Sequence, residues 1–457
     1  MGLTATADRS PLKPGLAARR VAATVLAQVI DEGEPLDALL DAEHGMARLL
    51  ALDPRDAGLT RAIARTAIRQ RGPILFALDR LLQRPLPKAA RHLHHLLHVG
   101  AAQVLFMGVE ARAAIDLAVT EAKSDPRSQR FSGLVNAILR GMAREGDTLR
   151  EAAFAAHETR APSWLVKRLK RDHGRAKTAR ILEAQAVEPV IDLTTKPDAV
   201  GLPDGVRLAN GTLRTGASGA VTTWPGFDVG DWWVQDVAAA LPALVLAHGG
   251  TRLDGTDVLD ACAAPGGKTA QLAAMGARVT ALEPVQARLR RLRGNLDRLA
   301  LQAELHRTDL QTFAGGSERR FGAVLVDAPC SSTGTMRRHP DVAWTKTPEA
   351  VQAVAKLQRE LVEAAAALVA AGGTLVFANC SILKEEGEDL FASLMLEGFE
   401  PSPIERSDVF GLDAVTGQGT LRTLPFQSLP AMEGLVPDDP AWQGMDGFFC
   451  ARWRRRA

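Results

Sequence analysis

The stretch that most constrains this chain is Asp257-Val258-Leu259-Asp260-Ala261-Cys262-Ala263-Ala264-Pro265-Gly266-Gly267-Lys268-Thr269. Val258 and Leu259 read as a short strand buried on both faces, because apolar residues follow one another without alternation. Pro265, Gly266 and Gly267 then break regular structure, and residues 269–275 suit a helix. A strand, a glycine-rich turn and a helix open a doubly wound nucleotide-binding fold. The paired glycines let backbone approach a ligand, and a helix N-terminus presents unpaired N–H groups. The spacing is not GxGxxG, and Lys268 is not in a Walker A loop. The stronger sign follows: residues 278–283 read as a second strand ending on Glu283, where a carboxylate meets ribose hydroxyls. The bland alternative is that Glu283 only starts the next helix.

Strand and helix go on alternating. Residues 285–299 form an arginine-rich helix, with Arg288 one turn beyond Glu283. Residues 303–308 read as a third strand closing at Asp309, an acid placed to accept from the exocyclic amine of an adenine or to cap a helix. Residues 321–326 are continuously apolar and run into Asp327-Ala328-Pro329-Cys330-Ser331-Ser332-Thr333-Gly334. Thr347 as N-cap and Pro348 at N1 start a long helix that Gly372 ends. Residues 374–378 make a fifth strand and deliver Asn379-Cys380-Ser381. Ligands in such sheets bind outside the carboxyl ends of the strands. Asp327, Cys330 and Cys380 are therefore expected in one crevice with the glycine loop.

DACAAPGGKT resembles the S-adenosylmethionine loop of the RNA cytosine-5 methyltransferases, the NOL1/NOP2/Sun group. DAPCSSTGT and NCSILKEEGE resemble two further signature segments of that family. The chemistry explains why two thiols are needed. Carbon 5 of cytosine is a poor nucleophile until a thiolate adds to carbon 6 and makes an enamine. After methylation a base must take the carbon-5 proton so that the thiol leaves. An acid near ring N3 and the exocyclic amine orients the flipped base, a role that suits Asp327. Spacing does not rank the two thiols; the resemblance implies Cys380 as nucleophile and Cys330 as the residue assisting release. It also implies cofactor contacts from Cys262, Ala263, Ala264, Pro265, Gly266, Gly267, Lys268, Glu283, Asp309 and Asp327. The basic-His-Pro-Asp segment at Arg337, Arg338 and His339 matches the family too, and is expected to meet RNA phosphates. One departure is Asn379, where the family commonly has Thr.

The chain has 457 residues, 46% of them hydrophobic, enough for two or three domains with real cores. Its net charge of +2 excludes a polycation, so any nucleic-acid binding rests on local patches. The four cysteines include no CxxC pair, so no metal is expected. Cys262 and Cys450 read as small packed residues. Few cysteines, no signal peptide and no run of about 18 apolar residues point to a cytoplasmic protein without a membrane span. Residues 1–14 read as a polar tail.

Residues 16–144 read as helices throughout. Val21, Val25 and Val29 form one apolar stripe, Pro73 suits an N1 position, and residues 93–107 make a hydrophobic helix. His92, His94, His95 and His98 lie on that helix, and a solvated surface is expected for them rather than a metal. Residues 131–140, FSGLVNAILR, resemble the closing signature of NusB-type RNA-binding domains. Between Arg160 and Arg180 basic residues face Asp172 as the one acid, which fits either a solvated face or RNA phosphates.

The expected layout is an all-α NusB-like domain (1–148), a linker with a small α+β domain (149–232), and a Rossmann-like α/β methyltransferase domain (233–457). A NusB-like domain ahead of this core is similar to the RsmB (Fmu/Sun) ribosomal RNA methyltransferase family. That resemblance implies S-adenosylmethionine as cofactor and small-subunit (16S) ribosomal RNA as partner; a monomer is expected. The alternatives are the same chemistry on tRNA or another rRNA, an RNA-binding regulatory protein with a vestigial core, and a dinucleotide-dependent oxidoreductase. The last has no use for two thiols at strand ends.

Overall fold

The computed structural model of the protein describes residues 13–87 and 90–457; nearly all of the polar stretch 1–14 lies outside the described residues. The chain forms two compact units. One runs to Val166 and includes His339–Thr345; the other comprises Lys167–Arg338 and Lys346–Ala457.

In the helical unit the Val21, Val25 and Val29 stripe is buried, on the helix Leu16–Ala27 and the π-turn Gln28–Glu32 that extends it. Helices Pro54–Arg69, Arg91–Phe106, Ala111–Ser124 and Ser132–Ala155 close around one core that includes Ile63, Leu97, Ile115 and Leu139. Each such side chain, once buried, favours the fold by about 1.5–3 kcal/mol. Asp53 caps the helix Pro54–Arg69, accepting from Arg55 N and Asp56 N at 3.0 Å, with Pro54 at N1. The next helix, Arg71–Leu81, starts before Pro73. Gly72 lets this helix approach the backbone of Thr159, whose carbonyl oxygen would lie 2.0 Å from an added Cβ.

The histidines correct a sequence expectation. His95 and His98 are buried, not on a solvated surface. His95 Nε2 lies 2.9 Å from Asp31, and His98 Nδ1 donates to the His94 carbonyl at 2.8 Å. Desolvation lowers the pKa of both rings. The reason is topological: the helix Arg91–Phe106 packs against five other helices and has little free face. Among the described residues no group of three or more His, Cys, Asp or Glu is arranged to hold a metal ion. No described helix is long and apolar enough to cross a membrane.

The second unit holds two sheets. A small antiparallel one contains β1 (Ile191–Thr195), β2 (Val206–Arg207), β3 (Leu213–Thr215) and β4 (Trp232–Val234), in the order β2-β3-β1-β4. Trp232 and Trp224 pack there with Leu193 and Leu213. Residues 149–232 are shared between the units: the helix Ser132–Ala155 runs through 148, and β4 feeds directly into the helix Val237–Ala247. That helix lies across a face of the main sheet rather than at its edge, sharing a core with Val258, Leu325 and Val376.

The main sheet contains β5 (Asp257–Asp260), β6 (Arg278–Leu282), β7 (Glu304–His306), β8 (Phe321–Asp327), β9 (Val369–Asn379), β10 (Phe399–Pro401), β11 (Leu421–Arg422) and β12 (Phe449–Arg455). Its order is β10-β12-β9-β8-β5-β6-β7, with β11 paired to β12. β5 to β9 are mutually parallel, and β12 runs antiparallel to β9. Strand order reverses between β5 and β8, which opens a crevice at their carboxyl ends.

Candidate active site

The residues after β5 form the glycine loop. Ala263 N donates to Leu282 O at 3.0 Å, and Ala263 and Ala264 are buried. Gly266, with φ 112°, caps the helix Gly267–Ala274; a side chain there would lie 2.5 Å from Leu292 Cδ1. Asp260 is buried at the end of β5. Its Oδ2 accepts from Thr269 Oγ1 at 2.7 Å, while Oδ1 has no hydrogen-bond partner in the protein. Burial pushes its pKa up to about 6. Glu283, buried after β6, accepts from Val285 N at 2.8 Å and pairs with Arg288 at 3.3 Å. Asp309 is exposed and caps the helix Leu310–Gly316, accepting from Thr312 N at 2.8 Å.

These groups fit S-adenosylmethionine. Asp260, Glu283 and Asp327 stand at the ends of three neighbouring strands, where ribose hydroxyls and a cationic ligand would meet acceptors. The orphaned Asp260 Oδ1 is a buried acceptor, and Gly266 keeps side-chain bulk off the loop. Pro265, exposed, and Cys262, partly exposed, complete the loop.

From the other side of the reversal point comes the chemistry. Lys268 Nζ donates to Asp327 Oδ2 at 2.7 Å and lies 5.0 Å from the Phe448 ring centroid. Burial alone would lower this ammonium, but the Asp327 carboxylate outweighs it and raises it. Beyond the ends of β8 and β9, Cys330 Sγ and Cys380 Sγ are 3.3 Å apart. Hydrogen bonding to Cys380 and then burial push Cys330 well above the ordinary thiol range, although Ser332 N donates to its sulfur at 3.4 Å. The two bland cysteines differ: Cys262 is raised by burial, and Cys450, packed in β12 opposite Ala378, is pushed up to about 12.

The loop carrying Cys380 is braced by residues that sequence reasoning missed. His173 Nε2 donates to Ile382 O at 2.7 Å, and Asp172 Oδ2 accepts from Lys384 N at 3.0 Å. Arg422 donates to Ser381 O and pairs with Glu388. Arg168 pairs with Glu385 at 2.8 Å. The helix Ser163–Ala184 thus turns Asp172 and His173 to this loop, while Lys167, Arg171, Arg175 and Lys177 stay exposed. The one available signal was the acidic run in NCSILKEEGE. Asn379 supplies two bonds, from Nδ2 to Glu386 O at 2.6 Å and from Ser381 N to Oδ1 at 3.0 Å.

Arg337 and Arg338 were expected at RNA phosphates, and the structure corrects this. Arg337 is buried and donates to Gln443 O at 2.7 Å. Arg338 pairs with Asp236 at 2.5 Å, Asp446 at 3.4 Å and Asp192 at 3.9 Å. Burial would lower Arg338, yet these carboxylates raise it. Both guanidiniums are spent internally because distant segments converge on them, carbonyls on Arg337 and acids on Arg338. His339, in the helical unit, is half-exposed and lies 2.7 Å from Asp37.

A nucleotide-type glycine loop set against two free thiols makes this a methyltransferase of the class that takes its methyl group from S-adenosylmethionine. The family model for the 16S rRNA methyltransferase RsmB/F matches residues 251–454, and that for the NusB family matches residues 16–144. Ribosomal RNA small subunit methyltransferase B of Erwinia tasmaniensis is 32% identical, over 86% of this chain and 92% of its own length. The protein of the same name from Pasteurella multocida is also 32% identical, over 96% of both chains. The chain belongs to the ribosomal RNA small subunit methyltransferase B family. The crystal structure of PH0851, 22% identical, shares the fold with a TM-score of 0.69 over 98% of this chain and all of that one.

Proposed function

We propose that the chain forms 5-methylcytosine in small-subunit (16S) ribosomal RNA through a covalent bond between Cys380 Sγ and cytosine carbon 6. The observation that carries this reading is the pair of sulfurs 3.3 Å apart, beyond the ends of adjacent strands and on the same sheet edge as the Lys268–Asp327 pair. S-Adenosylmethionine, held by residues 262–268, Glu283 and Asp309, supplies an electrophilic methyl group. Asp327 orients the flipped cytosine at N3 and its amine, and Lys268 holds Asp327 in place through its 2.7 Å bond to Oδ2. Cys380, as thiolate, adds to carbon 6 and makes carbon 5 nucleophilic. Once the Cys380 sulfur is joined to carbon 6, Cys330 loses the hydrogen bond that most raises it and gives its own proton to water; as thiolate base it then takes the carbon-5 proton, the Cys380–carbon bond breaks, and the 5,6 double bond returns. His339 is the remaining candidate for an RNA phosphate. Four unpaired cysteines suit a reducing cytoplasm.

The test is methyl transfer from labelled S-adenosylmethionine to small-subunit rRNA by wild type, Cys380→Ala and Cys330→Ala. The reading expects label on cytosine carbon 5, none with Cys380→Ala, and a trapped protein–RNA adduct with Cys330→Ala. Full activity of Cys380→Ala would make Cys330 the attacker. Label on tRNA alone would keep the chemistry and remove the substrate.

A further inference from the structure

Glu386, in the short helical turn Lys384–Glu386, is fully buried. Its Oε1 accepts from Ser331 N at 2.8 Å and Gln358 Nε2 at 3.1 Å, and its Oε2 accepts from Ser381 Oγ at 2.6 Å. All three donors are uncharged. Ser331 follows Cys330 and Ser381 follows Cys380, so one carboxylate grips both thiol-bearing loops. Between those loops, Ser331 Oγ, Thr333 Oγ1 and Ser381 Oγ each lie 3.1 Å from the other two. Backbone donors fill further positions: Ile382 N gives to Thr333 Oγ1 and Leu383 N to Ser381 Oγ, both at 3.1 Å. A hydroxyl has a single proton to donate. Since Ser381 gives its proton to Glu386, Ser331 gives to Ser381, and the carboxylate sets the direction of the whole network.

We infer that Glu386 is a positioning residue of the two-thiol reaction, holding the Cys330 loop against the Cys380 loop and orienting the hydroxyls between them. This rests on the reading under Proposed function. The charge of Glu386 acts as well: after the bond to Cys380 and burial, it is among the influences that keep Cys330 protonated.

The experiment begins with wild type and Cys380→Ala in the labelled-methyl assay. If Cys380→Ala is active, the reaction itself has been misread, whatever Glu386 does. Glu386→Gln then keeps the shape and the acceptor for Ser331, but its amide turns a donor toward Ser381 and its charge is gone. Expected is a kcat lower by roughly ten- to a hundredfold, as for a misplaced reacting group, with KM for S-adenosylmethionine unchanged. Removing a negative charge eases ionisation of Cys330, so the pH at which adduct release accelerates moves to lower pH. Ser381→Ala cuts the same network but keeps the charge: kcat falls and that pH stays. A merely structural role would lower kcat in both without separating their pH profiles. Wild-type kcat in Glu386→Gln, or a release profile that coincides with wild type, overturns the inference. Should Glu386→Gln not fold, wild-type kcat in Ser381→Ala overturns it.

Discussion

Replacing Arg338 by Met discriminates between an arginine that meets RNA and one that holds the protein together. The side chain is 19% exposed, and Asp192, Asp236 and Asp446 around it are nearly or fully buried. Arg214 shares Asp192, donating from Nε at 2.7 Å and from Nη2 at 2.8 Å. Arg214, Arg337 and Arg338 thus balance the three carboxylates, and Arg338→Met leaves one negative charge over. Breaking a buried ion pair by removing one partner costs about 3–5 kcal/mol, because the other charge stays buried and unpaired. For a unit of this size that lowers the thermal midpoint by on the order of 10 °C. The deficit should narrow toward acid pH. Asp236 is held below its ordinary pKa because Arg338 outweighs burial, so in the wild type its contribution is present above the ordinary value and lost on acidification. In the variant the orphaned carboxylate can take a proton and escape the penalty. The assay is thermal unfolding at pH 5 and pH 8, with RNA binding measured against salt. A variant with the wild-type midpoint, weaker RNA binding and a salt slope smaller by about one would refute the argument and restore Arg338 as a phosphate contact.

Two further outcomes follow from the glycine loop. Asp260 titrates near 6 in the fold against an ordinary 3.8. Folding is therefore favoured fully below about pH 4, and the advantage is lost as pH rises through about 6, a penalty of about 3 kcal/mol at pH 8. In the protein without cofactor, Asp260→Asn should melt above wild type at pH 8 and match it near pH 4; parallel curves would contradict this. Gly266→Ala forces a side chain into a φ of 112° and against Leu292. It should cost about 1–3 kcal/mol of stability and weaken S-adenosylmethionine binding at least about tenfold by calorimetry; wild-type affinity would show that the loop tolerates bulk.

Much of the catalytic fold was legible because its signals are local. Continuous apolar runs marked β5, β8 and β9, Thr347 and Pro348 marked a helix start, and the glycines marked the loop. Thr347 does cap the helix Pro348–Ala367, accepting from Ala350 N at 3.2 Å. Boundaries were softer: that helix ends at Ala367, and β9 already begins at Val369, before Gly372. Asp309 was left open between cap and adenine acceptor, and its geometry is that of a cap.

By itself the sequence determined most of the elements, the family and which side chains end the central strands. Periodicity and turn chemistry act between neighbours in the chain, and motif residues are contiguous. Only tertiary structure decided which polar groups face inward. The acids that bury Arg338 lie far from it in sequence, His98 is buried because other helices surround its own, and Glu386 grips two loops that 50 positions of chain separate at their cysteines. A basic residue beside a motif looks the same whether it awaits a phosphate or is already paired. The difference is a desolvation balance, and that exists only once distant segments have met.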